Sequence, residues 1–113
     1  MVTTQDVRRI ALSLPRTDER LVRDQIKFRV GRIVYVALSR DEKSMGFGFH
    51  KEERAALIAA EPDKFFMPIR SDERYNWVQV RLSAIDEIEL RELVIDAWRM
   101  VVPKRVAAAY GAP

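Results

Sequence analysis

The sequence predicts an α+β domain in which helices pack on a single antiparallel sheet. Two patterns carry that expectation. Residues 26–38, IKFRVGRIVYVAL, place alternating apolar residues on either side of a Gly-Arg pair, as a tight hairpin requires. Residues 90–101 set Leu90, Leu93, Val94, Ala97, Trp98 and Val101 at the spacing of a helix that buries one stripe. At 113 residues the chain has room for one core, so residues 1–113 read as a single domain.

The first element is a helix. Thr3 can cap it with Asp6 at the third helical position, Val2 and Val7 stand at the staple positions, and Val7, Ile10, Ala11 and Leu14 form the apolar stripe. Pro15 disfavours helical geometry at Leu14 and ends it. The next stretch, RTDERLVRDQ, reads as a polar connection. In the hairpin, Gly31 comes first in a two-residue loop, which suits a type II′ turn. That register pairs Val30 with Ile33, Phe28 with Tyr35 and Ile26 with Ala37 on one face, and Arg29 with Val34 and Lys27 with Val36 on the other.

After a polar turn, SMGFGF alternates Met45, Phe47 and Phe49 with glycines and reads as a third strand. A phosphate loop is excluded because the third glycine and the following helix start are missing; the glycines instead allow close approach to the sheet. KEERAALIAAE is a helix by composition, stopped by Pro62, with a small apolar face of Leu57, Ile58 and Ala60. YNWVQVRL then alternates as a strand, with Trp77, Gln79 and Arg81 on its polar face. The helix after Ile85 has the clearest start, since Asp86 and Glu89 fit a capping box and Ile85 and Leu90 a staple. Pro103 suits the first position of a short last helix and Gly111 its C-terminal cap.

DVRRIALSLP, FRVGRIVYVAL, FHKEERAALIAAEPDKF, YNWVQVRL and LRELVIDAWRMVVPKR, taken together, resemble the MmcQ/YjbR-like proteins from end to end. The resemblance implies an α-β(3)-α-β(2)-α fold with an antiparallel sheet of about five strands. It also implies a double-wing DNA-binding role, which for that family is an inference from shape. The chain departs from the pattern at His50, where relatives often carry an acidic or small capping residue. On this fold the helices bearing Leu14 and Trp98 share one face of the sheet, with Phe28, Tyr35, Leu93 and Trp98 in a common core.

Composition narrows the function classes. With no cysteine there is no disulfide, no thiolate metal site and no cysteine nucleophile, and the cytoplasm is the default location. No run is long and apolar enough for a signal peptide or a membrane span, so no membrane role is expected. The one histidine, His50, has no evident partner, and the acid pairs Asp41-Glu42, Glu52-Glu53 and Asp72-Glu73 are sequence neighbours whose side chains diverge. Neither enzyme chemistry nor a metal or cofactor site is expected.

Net charge is +3 with a pI near 9.5, and the positive charge is concentrated early. Residues 1–40 hold nine Lys/Arg against four Asp/Glu, whereas the rest hold eleven against thirteen. Double-stranded DNA is therefore a candidate partner, met by Lys27, Arg29 and the turn residue Arg32, with Arg20, Arg23, Arg40 and Lys43 nearby in sequence. No recognition helix accompanies them, so binding would be weak in sequence preference. The alternative is a protein- or small-ligand-binding module on the polar sheet face, using Tyr75, Trp77, Gln79 and Arg81. Trp77 then either stands exposed in a concave sheet or packs half-buried at the core edge.

Overall fold

The computed structural model describes residues 1–111. Its α-helices are α1 (Thr4–Leu12), α2 (Lys51–Ala60), α3 (Glu87–Arg99) and α4 (Lys104–Tyr110). The strands are β1 (Thr17–Val22), β2 (Gln25–Val30), β3 (Ile33–Leu38), β4 (Ser44–Gly48), β5 (Phe65–Phe66) and β6 (Trp77–Arg81). They form one antiparallel sheet in the order β1-β2-β3-β4-β6-β5. The expected antiparallel α+β class holds, but the described residues give six strands rather than about five, and four strands rather than three precede α2.

The extra strand is β1, in the stretch read as a polar connection. It escaped the sequence reading because the turn that pairs it with β2 uses neither glycine nor asparagine. Arg23 and Asp24 both take left-handed φ, 51° and 68°, the signs a type I′ hairpin turn demands. The strand is polar because it lies at the sheet edge, where charged side chains discourage further pairing.

The second correction concerns the hairpin register. Val30↔Ile33 and Arg29↔Val34 pair as expected, and Gly31 takes φ +61°, but the ladder then slips: Phe28 faces Val36 and Lys27 faces Ala37. The extra residue on β3 is Tyr35. The bulge buries both Tyr35 and Val36 and sets Ala37 beside Lys27. Tyr35 shares a 2.7 Å hydroxyl bond with Thr17, and burial pushes its phenol up to about 12.

Helices α1 and α3 cover one face of the sheet, and the core joins Val7, Ile10 and Leu14 to Phe28, Tyr35, Phe47, Leu90 and Trp98. Trp98 has no exposed surface; its indole N–H donates to the Pro15 carbonyl at 2.9 Å and its ring meets Tyr110 of α4 edge-on. Leu93 is half-buried against this core, and Ile95, outside the expected stripe, is buried. The Thr3–Asp6 capping box of α1 forms as expected, while the helix ends at Leu12 with Leu14 still buried beyond it. At α3, Asp86 accepts from the Glu89 N–H, but the Glu89 carboxylate goes to Lys64 instead of closing the box. Pro103 stands at the N-cap of α4, one position before the expected one.

Candidate functional site

Among the described residues the other face of the sheet carries no helix stripe, and its side chains follow from the register. One row of partners runs across every strand: Arg20, Lys27, Ala37, Gly46, Gln79 and Phe66. Adjacent strands lie ~4.8 Å apart, so Lys27 and Gln79 stand about 14 Å from each other across the small residues Ala37 and Gly46. Large residues at both ends and small ones between them make a trough.

Trp77 lies across its middle. A Cβ built on Gly46 would fall 2.5 Å from the Trp77 Nε1, so glycine is required there for the indole to lie against the sheet. Trp77 is half-buried, which combines the two sequence alternatives: it packs on the sheet and also lines the concavity.

The trough is walled by the segment linking β5 to β6, which contributes Met67, Ile69, Asp72 and Tyr75, and it encloses about 910 Å³. That wall is held from behind by a residue the sequence reading missed. Arg54 of α2 is only 8% exposed, and its guanidinium donates to three backbone carbonyls, Glu73 at 2.8 Å, Tyr75 at 3.2 Å and Trp77 at 2.8 Å. In sequence it is one charge in KEER, indistinguishable from a solvated helical arginine. Asn76 of the same segment accepts from the Lys51 N–H at the start of α2, supplying the cap that His50 does not.

The candidate DNA-contacting residues divide by their partners. Arg29 and Arg20 both reach Asp18 of β1, at 3.2 and 3.0 Å, and Arg29 first among them holds the Asp18 carboxyl below its ordinary value. Arg23 lies in the β1–β2 turn and its carbonyl accepts from Arg40 Nε. Arg32 and Lys43 are exposed, with no side-chain partner among the described residues. Lys27 is half-buried on the trough, and its ammonium likewise has no partner among the described residues. The β2–β3 hairpin is therefore an interior part of the sheet, flanked by β1, and its charge is partly neutralised.

Of the alternative set, Tyr75, Trp77 and Gln79 line the concavity together. Arg81 does not; its guanidinium stacks 4.5 Å from the Phe66 ring centre and points to the Pro62 and Asp63 carbonyls. Lys27 and Arg40, drawn from the DNA set, line the same space. Asp41 also lines it, but its carboxylate is engaged by the Ser39 hydroxyl and the Lys43 N–H, which hold it below the ordinary range.

A small α+β domain with helices on one face of its sheet and a concavity of about 910 Å³ on the other is thus the class that fold and site define. The sequence model of the YjbR family matches residues 12–100, and the chain belongs to that family. The uncharacterised protein Rv2570 of Mycobacterium tuberculosis is 34% identical to it, over 97% of this chain and 96% of the relative. The uncharacterised protein Mb2600 of Mycobacterium bovis matches with the same values. The crystal structure of the Deinococcus radiodurans protein DR2400, a DUF419 domain, superposes with a TM-score of 0.78 at 21% identity, covering 100% of this chain and 91% of that one. This last likeness carries the fold alone.

Proposed function

We propose that this chain is a non-enzymatic binding module whose site is the concavity on the open sheet face. The observation that supports it best is the pairing of a cavity of about 910 Å³ with an apolar rim that the fold leaves uncovered: Ile33, Met67, Ile69 and Tyr75 are all exposed there. Exposed apolar residues grouped around a concavity with a few polar groups are the usual signature of a ligand site. His50 stands at the start of α2 and does not line the cavity, so the chain's one imidazole is absent from the place where substrate would sit.

The test is a heteronuclear NMR titration with a mixed set of flat aromatic fragments of every charge. The expected result is that several fragments shift the amides of Ala37, Gly46, Trp77 and Gln79 together, and Trp77→Ala removes the effect. Shifts scattered over α1 and α3, or none at all, would overturn the reading.

A second reading, duplex binding by the hairpin, is favoured by Arg32 at the turn tip and by the exposed Lys43 and Arg40. With Arg29 tied to Asp18, neutralising Lys27, Arg29 and Arg32 together should shrink the salt slope by about 0.9–1.8, one to two phosphate contacts at roughly 0.9 each. Fluorescence anisotropy at several salt concentrations measures it. An unchanged slope removes the hairpin from any DNA contact.

A further inference from the structure

We infer that the concavity takes a flat aromatic anion, its ring stacked on Trp77 and its acidic group at the Lys27 end; this rests on the binding-module reading above. The argument is one of unmatched donors. Lys27 Nζ and Trp77 Nε1 can only donate hydrogen bonds, and neither has an acceptor among the described residues. The Gln79 amide, on the same row, is also without a side-chain partner among them. Most acceptors on the lining are used, Asp41 by Ser39 and Lys43, Asn76 by Lys51, and the Leu38 carbonyl by Gln25; the Asp72 carboxylate, without a partner among the described residues, stands away from Lys27 on the segment between β5 and β6. A ligand that completes this site therefore brings acceptors, and half-buried Lys27 favours acceptors that carry negative charge.

Charge also orients the ligand. Lys27, on β2, marks one end of the lining and has no carboxylate partner among the described residues; Asp72 marks the other, on the wall between β5 and β6, and Arg40 shares its turn with Asp41. An anion is attracted to the first end and repelled from the second. Between them the floor is Ala37 and the Trp77 indole lying over Gly46, with Phe66 beyond Gln79. Flat apolar surface at that position selects a ring over a branched chain.

Naphthoate, naphthamide and naphthylmethylammonium have the same ring and differ in charge, and their affinities for the full chain are read by NMR titration. Naphthoate is expected to bind about tenfold tighter than the amide, the scale of one charge-assisted hydrogen bond, with the ammonium weakest. Lys27→Gln should erase the preference for naphthoate while leaving the amide's affinity in place, and Lys27→Glu should reverse it toward the ammonium. Gly46→Ala, whose Cβ displaces the indole, should weaken all three alike. Equal binding of the three by the native chain, or a preference that survives Lys27→Gln, overturns the anion assignment and leaves the site standing. Failure of all three to bind removes the site and this inference with it.

Discussion

The two tryptophans divide the molecule. On the covered face Trp98 of α3 is fully buried, meets Tyr110 of α4 edge-on, and has its indole N–H bonded to the Pro15 carbonyl. On the open face Trp77 is half-buried, and its N–H has no acceptor among the described residues. One face of the sheet is completed by the chain's own residues. The other is shaped with equal care, by a glycine under the indole and an arginine behind the wall, yet Lys27 and the Trp77 indole have no acceptor among the described residues. The first arrangement is closed on itself, whereas the second keeps its donors open to solvent.

The sharpest way to break this comparison is to truncate each tryptophan and measure urea unfolding. Trp98→Ala should cost about 4 kcal/mol, the range for emptying a large aromatic site in a core. Trp77→Ala should cost about 1 kcal/mol, because it rests on one side only. Similar losses from the two would mean the open face is as much a core as the covered one.

Arg54 sharpens the contrast from within the wall. Arg54→Met keeps the length of the side chain and removes its donors from three carbonyls. It should cost about 2 kcal/mol, as charge-assisted bonds are lost while loop carbonyls regain water. Amides of residues 73–77 should exchange faster with solvent while those of α3 keep their protection. Uniform loss of protection across both regions would show that Arg54 supports the whole fold and not the cavity wall.

The remaining two tests concern the edge strand. Arg23→Asn combined with Asp24→Gly gives the β1–β2 turn residues that tolerate left-handed φ, and thermal unfolding should show a gain of about 1 kcal/mol. The smallest effect belongs to Asp18. Because Arg29 holds its folded carboxyl below the ordinary value, its contribution is complete above the unfolded carboxylate range and is lost as pH falls from there through the lower folded value. Asp18→Asn should accordingly flatten the acid limb of the stability–pH curve, with a small constant loss near neutrality that vanishes as the two curves converge at low pH. A variant curve parallel to the native one at low pH would show that the ion pair contributes nothing.

The covered face was legible in the sequence because burial writes itself as period: the α3 stripe, the Val2–Val7 and Ile85–Leu90 staples and the Phe28 strand all lie where spacing places them. β1 was not legible, since its turn rests on Arg23 and Asp24 in a conformation whose usual residues are Asn and Gly. The bulge at Tyr35 was hidden for a related reason: an unbroken apolar run, IVYVAL, gives no sign of where its alternation slips. Of the site, Trp77, Gln79 and Tyr75 could be named because they share a strand or its approach. Lys27 was named for another role, and only the sheet order places it opposite Gln79. Arg54 had no signal, because three backbone carbonyls, unlike a partner side chain, leave no trace in sequence.

The bond from Trp98 to the Pro15 carbonyl joins positions 83 residues apart, and it orders events during synthesis. The β1–β4 meander consists of neighbours and can pair as it leaves the ribosome. Its apolar side, with Phe28, Tyr35, Val36, Met45 and Phe47, has only α1 to cover it until α3 emerges some forty residues later, roughly two to eight seconds at ordinary translation rates. For that interval the nascent chain is a sheet whose greasy face is only part covered, and chaperones or neighbouring chains compete with α3 for the rest.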